Sequence, residues 1–175
     1  MSFEDAVEFV LKWEGGLSDH PNDPGGITNY GISIKFAGSI KFDITGDNKT
    51  TAADIRNLTR PRAKQIYKDH FWLAANCDQM PEGINLAVFD AAVNMGVRRA
   101  IMFLQMSVRT KPDGIWGPNT RAALESANRF STLWEYQARR NRFYGKIRNF
   151  DTFGLGWMRR SADCHQTAAR LLRPN

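Results

Sequence analysis

The chain has 175 residues, 24 Lys and Arg against 18 Asp and Glu, a net charge of +6 and a pI near 9.6. That is the length of one ordinary domain with a real core, and the positive balance implies an anionic partner or surface. The basic residues are spread along the chain, densest from Arg139 to Arg160, without a helix-turn-helix, zinc-finger or RNA-recognition signature, so nucleic acid is not expected as the partner. No apolar run reaches membrane-spanning length, which argues against stable membrane insertion. Cys77 and Cys164 are too few for a disulfide framework and are expected as free thiols. The opening Met1-Ser2-Phe3-Glu4-Asp5 is acidic and runs into a helical pattern, so it does not read as a signal peptide.

Phe3, Ala6, Val7 and Val10 recur at three- and four-residue steps, and Glu14 falls next on the same stripe. Ser2 and Asp5 have capping-box spacing, and Gly15-Gly16 is a stop signal. The pattern therefore predicts a carboxylate on the buried face of a helix at its C-terminal end, a setting that suits a general acid. From Gly15 to Gly31 the chain is rich in Gly, Pro, Asp and Asn, too polar for a core element and better read as a site loop. Ser33 to Ile44 is ambiguous between short strands and a short helix. Asp43 to Asp54 places oxygen-bearing residues in part of a calcium-loop frame, but Asn48 replaces the turn glycine and Asp54 the bidentate glutamate. A polar turn leading to a helix capped by Thr51, with Asp54 completing the box, is the expectation.

Thr59 should start a helix with Pro61 in its first turn and Ala63, Ile66, Tyr67 and His70 on one face. Tyr67 and the Phe71-Trp72 pair are core or line a sugar cleft, and an aromatic stripe at helical spacing reads as core with one or two exceptions. Gly83 to Gly96 reads as a central apolar helix in which Asp90 and Asn94 sit four apart. They are either a structural pair or part of a cleft lining. Ala100 to Ser107 continues as helix. Asp113-Gly114 and Gly117-Pro118 mark a turn, with Asn119 or Thr120 capping a short helix. Phe130 to Ile147 is a long amphipathic helix with Leu133, Tyr136, Gln137, Arg140, Phe143, Tyr144 and Ile147 on one side. A last helix ends at Leu171-Leu172. His20, His70 and His165 lack ligand spacing, and Cys164-His165 alone is short of the three protein ligands of a hydrolytic zinc site, so no metal and no cofactor are expected.

Glu14-Gly15-Gly16 followed by Asp23-Pro24-Gly25-Gly26-Ile27-Thr28-Asn29-Tyr30-Gly31-Ile32 resembles the N-terminal signature of glycoside hydrolase family 108, the peptidoglycan-cleaving muramidases of phage endolysins and secretion-associated wall hydrolases. The resemblance extends along most of the chain. Phe89 to Gly96 is similar to the central helix of lysozyme-like glycosidases, Leu104-Gln105 with Asp113 to Thr120 to a peptidoglycan-binding motif, and Gly154 to Arg160 to the family's closing Gly-Trp-x-x-Arg segment. It implies a mainly α, lysozyme-like single domain over residues 1–175 with a small irregular or β segment beside the site loop. Residues 1–96 would be the catalytic part and 97–175 a helical, peptidoglycan-binding-like part. It implies Glu14 as catalytic acid. In phage-type lysozymes an Asp follows nine positions later and a Thr six after that; Asp23 fits, Thr28 comes one residue early, and Asp19 is the reserve carboxylate.

Tyr30, Asn94, Asp113 and Trp116 are the expected substrate contacts, although Asp113 to Thr120 also reads simply as a turn between packed helices. The expected partner is bacterial peptidoglycan, met by a monomer that waits in a host cytoplasm and acts in the periplasm as a phage endolysin. A lytic transglycosylase using Glu14 alone, a noncatalytic wall binder, a nucleic-acid binder and a zinc amidase are the rival readings.

Overall fold

A computed structural model describes residues 1–19 and 26–172. Two compact units are present, one formed by Val7–Tyr67 and the other by Met1–Ala6 with Lys68–Asn175.

Helix α1 (Phe3–Trp13) begins at the predicted box: the Ser2 hydroxyl donates to the Asp5 carboxylate at 2.6 Å and accepts from the Asp5 amide at 3.2 Å. Ala6, Val7 and Val10 are fully buried, as their spacing requires. In the Val7–Tyr67 unit, strands β1 (Thr28–Asn29) and β2 (Ile32–Ser33) form an antiparallel hairpin in which Asn29 faces Ile32. The ambiguous stretch after it is helix α2 (Ile34–Ser39), because the Ser33 hydroxyl accepts from the Phe36 amide and caps it. Helix α3 (Ala52–Arg56) carries the expected capping box of Thr51 and Asp54. Asp54 also takes the amides of Ile44 and Thr45 at 2.9 and 3.1 Å, and the Asp43 carboxylate takes those of Gly46 and Asn48, so the carboxylates at both ends of the turn are engaged by protein donors. Helix α4 (Arg60–Tyr67) ends the unit, with Lys64 and Arg60 both paired to Glu8 of α1.

One element departs from its pattern. Ala63, Ile66 and Tyr67 are buried, but His70 is exposed. From Lys68 to Leu73 the backbone widens into a π-helix, which rotates His70 off the stripe that α-helical spacing gives it.

The other unit centres on α5 (Ile84–Met95), whose residues Ile84 to Ala92 are all buried. Gly96 (φ +86°) breaks it from α6 (Val97–Ser107) in a backbone region that suits glycine. Helices α8 (Arg129–Tyr144) and α9 (Phe150–Leu171) pack on α5 and on each other. Phe3, Trp72 and Phe89 meet edge to face at 5.4–6.1 Å between ring centroids. Short helix α7 (Pro118–Ser126) is capped by Gly117 with Pro118 in its first turn, rather than by Asn119 or Thr120. The Thr120 hydroxyl is buried and accepts from Gln105 instead.

Inside this unit the Asp90 carboxylate, fully buried, meets Arg140 at 2.5 Å and Arg160 at 2.8 Å. Burial pushes the Asp90 carboxyl pKa up, but the charges of Arg140 and Arg160 outweigh it and hold it below the ordinary carboxylate value. Cys77 and Cys164 are free, buried thiols, and burial raises the pKa of both. No described helix is long and apolar enough to cross a membrane.

Candidate active site

The candidate site is built in the Val7–Tyr67 unit from one helix end and one hairpin. Glu14 follows the last residue of α1, and its amide still donates to the Val10 carbonyl at 3.2 Å, so the residue stays on the helical path. Its side chain is half-buried, not sunk in the core as the stripe predicts, because the helix stops there and the chain turns away through Gly15-Gly16.

The hairpin supplies the opposing surface. Its two turn residues, Tyr30 (φ 49°) and Gly31 (φ 76°), are both left-handed, the pairing that lets a two-residue turn match the twist of its strands. Gly31 is required for a second reason. A Cβ on it would lie 2.6 Å from Oε2 of Glu14 and 2.5 Å from the Tyr67 hydroxyl oxygen. The bare backbone of residue 31 is therefore the floor on which the Glu14 carboxylate and the Tyr67 hydroxyl both rest. Tyr67 is buried at the end of α4, and its hydroxyl donates to the Tyr30 carbonyl at 2.8 Å. The buried Asn29 amide donates to the carbonyls of Ile55 and Leu58 at 3.0 and 3.3 Å, which pins the hairpin from its other side.

Thr28 is half-buried at the start of β1. Its backbone pairs with Ser18, N to O at 2.8 and 2.9 Å, and its hydroxyl donates to the Gly26 carbonyl at 3.3 Å. Asp23 itself lies outside the described residues. Asp19, the reserve carboxylate, is half-exposed and paired with Arg56 at 2.6 Å.

The remaining predicted contacts belong to the other unit. Asn94 is exposed near the end of α5, and its amide donates to the Asp90 carbonyl at 2.7 Å. The expected Asp90–Asn94 pair is thus a side chain on a backbone, while the Asp90 carboxylate serves the two arginines. Asp113 and Trp116 lie on the loop before α7, which is organised by one buried residue, Gln105 of α6. The Gln105 amide nitrogen shares its two protons among the Asp113 carboxylate (2.7 Å), the Ile115 carbonyl (3.0 Å) and the Thr120 hydroxyl (3.1 Å). Its carbonyl accepts from the Gly114 amide at 2.8 Å. The Trp116 indole N–H donates to the Gln79 side chain at 3.0 Å. Among the described residues no cluster of three or more His, Cys, Asp or Glu is placed to hold a metal ion. Cys164 is wholly buried, and the neighbouring His165 ring stands edge-on to Trp134.

The family model of glycosyl hydrolase 108 matches residues 7–96, from the middle of α1 to the glycine that ends α5. The chain belongs to glycosyl hydrolase family 108. Among solved structures it is similar to SagA of Brucella abortus, at 30% identity and a TM-score of 0.88, over 99% of this chain and 97% of that one. A comparison with curated proteins returns no match. The protein is accordingly a glycoside hydrolase with a mainly α, lysozyme-like fold, and its family implies peptidoglycan as the substrate. The matched span includes Glu14, the hairpin and Tyr67, and ends before the Gln105 loop. Of these, Tyr67 reads from the sequence as a core aromatic with a sugar cleft as the alternative; the structure buries its ring and brings its hydroxyl to the Tyr30 carbonyl, a contact that helical spacing does not encode.

Proposed function

We propose that this family 108 protein is an N-acetylmuramidase that hydrolyses the β-1,4 bond between N-acetylmuramic acid and N-acetylglucosamine. Glu14 is the general acid that protonates the leaving glycosidic oxygen. The observation that supports this most strongly is the seat of its carboxylate, against the bare Gly31 backbone and beside the Tyr67 hydroxyl. A carboxyl group held on rigid elements at a helix end can meet a glycosidic oxygen in one orientation. Glycoside hydrolysis also uses a second carboxylate, as nucleophile or as base for water. Asp23 takes that part, since the alternative, Asp19, is engaged by Arg56. Thr28 assists by holding the attacking water, and Tyr30, Asn94, Asp113 and Trp116 contact the glycan. The basic surface suits a wall rich in carboxylates and phosphates. We read the biological role as that of a phage endolysin, acting as a monomer from the host cytoplasm on periplasmic peptidoglycan.

The test is mass spectrometry of the soluble fragments released from purified Gram-negative peptidoglycan by the wild type and by Glu14→Gln. Reducing N-acetylmuramic acid ends that vanish in the variant are expected. Anhydromuramic ends would instead establish a lytic transglycosylase. Free stem peptides, or fragments unchanged by Glu14→Gln, would refute the assignment.

A further inference from the structure

The Tyr67 hydroxyl has one proton, and the structure spends it on the Tyr30 carbonyl. What remains on that oxygen is acceptor capacity, and it shares the face of Gly31 with Oε2 of Glu14. The two oxygens are separated by no more than the sum of their distances to the missing Cβ. Tyr67 cannot swing away, because its ring is 1% exposed and its neighbours Ala63 and Ile66 on the same helix face are buried too. The acceptor is therefore fixed in space, on the same face of Gly31 as the half-buried Glu14 carboxylate at the end of α1.

We propose that Tyr67 is the positioning residue of the acid. Its hydroxyl clamps the hairpin tip through Tyr30 and presents its lone pair to the protonated carboxyl of Glu14. It thereby selects the one carboxyl orientation in which the proton-bearing oxygen is held until substrate arrives. Gly31 is the third part of the device, since any side chain there would separate the other two. The inference rests on reading Glu14 as the acid. It goes beyond that reading by naming what aims Glu14.

The experiment is steady-state kinetics on soluble peptidoglycan oligomers with wild type, Tyr67→Phe, Glu14→Gln and the double variant. Tyr67→Phe keeps the buried ring and removes only the oxygen. It is expected to lower kcat about 10- to 100-fold, the scale of a misplaced catalytic group, with KM within about twofold of wild type. In the Glu14→Gln background the same change should cost nothing further, because the group it aims is gone. Gly31→Ala provides a second route to the same outcome, a loss in kcat without a change in KM. Wild-type kcat in either folded single variant would overturn the proposal, and so would an equal loss with and without Glu14. Glu14→Gln that retains full activity would instead sink the assignment of the acid, so the two failures are distinct.

Discussion

Asp90→Asn tests the charge cluster at the centre of the helical unit. The change keeps the shape of the side chain and removes its charge, leaving Arg140 (0% exposed) and Arg160 (9%) without their shared counter-ion. Neither guanidinium can escape by shedding a proton. An arginine stays charged in a folded protein; in the wild type burial lowers the pKa of Arg140, and the Asp90 charge, with smaller contributions from Cys164 and Tyr144, holds it above its ordinary value. Removing one partner of a buried ion pair costs about 3–5 kcal/mol. For a protein of this size each kcal/mol moves Tm by about 2–4 °C, so a fall of roughly 6–20 °C is expected in thermal denaturation followed by circular dichroism. Replacing Asp90, Arg140 and Arg160 together by apolar residues of similar volume should recover most of the loss, since a dry core needs no counter-charge. The pH dependence has a definite sign. The Asp90 pKa is depressed in the folded state, so its contribution is present above the unfolded value near 3.9 and is lost as pH falls through the folded one. Asp90→Asn should therefore flatten the acid limb of the stability curve. A Tm change of less than about 2 °C would refute the reasoning, because it would mean that the arginine charges are balanced without Asp90.

Two further substitutions probe the turns. In Asp54→Asn, one carboxylate oxygen becomes a donor facing amides that also donate. Loss of exchange protection is expected at Ile44, Thr45 and Thr51, read by amide hydrogen exchange, and unchanged protection would count against the closed turn. The amide of Thr51, then that of Ile44, with Thr45 adding to them, outweigh burial and hold the Asp54 carboxyl well below the usual range. This turn, too, should open only in acid. Gln105→Ala removes the hub of the Asp113–Thr120 loop and four hydrogen bonds, on the order of 3–4 kcal/mol. Urea unfolding should show that loss, and a shift under about 1 kcal/mol would mean that the loop holds itself.

Much of the fold is written in local patterns. The Ser2–Asp5 and Thr51–Asp54 boxes, the Gly96 break and the apolar run of α5 each depend on residues within a turn or two of one another, and each is found where its spacing places it. The departures come from contacts that spacing does not encode. Gly154 and Gly156, of a residue type that disfavours a helix interior, lie inside α9. A Cβ at Gly154 would come within 2.8 Å of the Phe150 ring, so that glycine is there for packing room. Arg140 sits on the apolar stripe of α8, an anomaly readable from the sequence, but its partner Asp90 is 50 residues away. Only the packed helices show that the charge is answered.

The candidate site was legible in the sequence only in part, for the same reason. Glu14 could be found from its place on the α1 stripe and the glycines behind it, because both signals are local. What gives it a defined environment is not local: Gly31 and Tyr67 come from a hairpin and from the end of α4. The hairpin holds Tyr30, a bulky residue, in the left-handed region, a strain of roughly 1–2 kcal/mol. The hydrogen bond from Tyr67 to the Tyr30 carbonyl offsets about 1 kcal/mol of that, and the two Asn29 bonds to Ile55 and Leu58 add comparable support. The turn beside Glu14 is therefore not a passive connection. It is maintained against its own backbone preference by Tyr67, the same residue whose oxygen shares the face of Gly31 with Glu14. On the proposed reading, loss of Tyr67 would relax the hairpin and release Glu14 together, which is why the kinetic coupling of Tyr67 to Glu14, rather than stability alone, distinguishes an aiming role from a merely structural one.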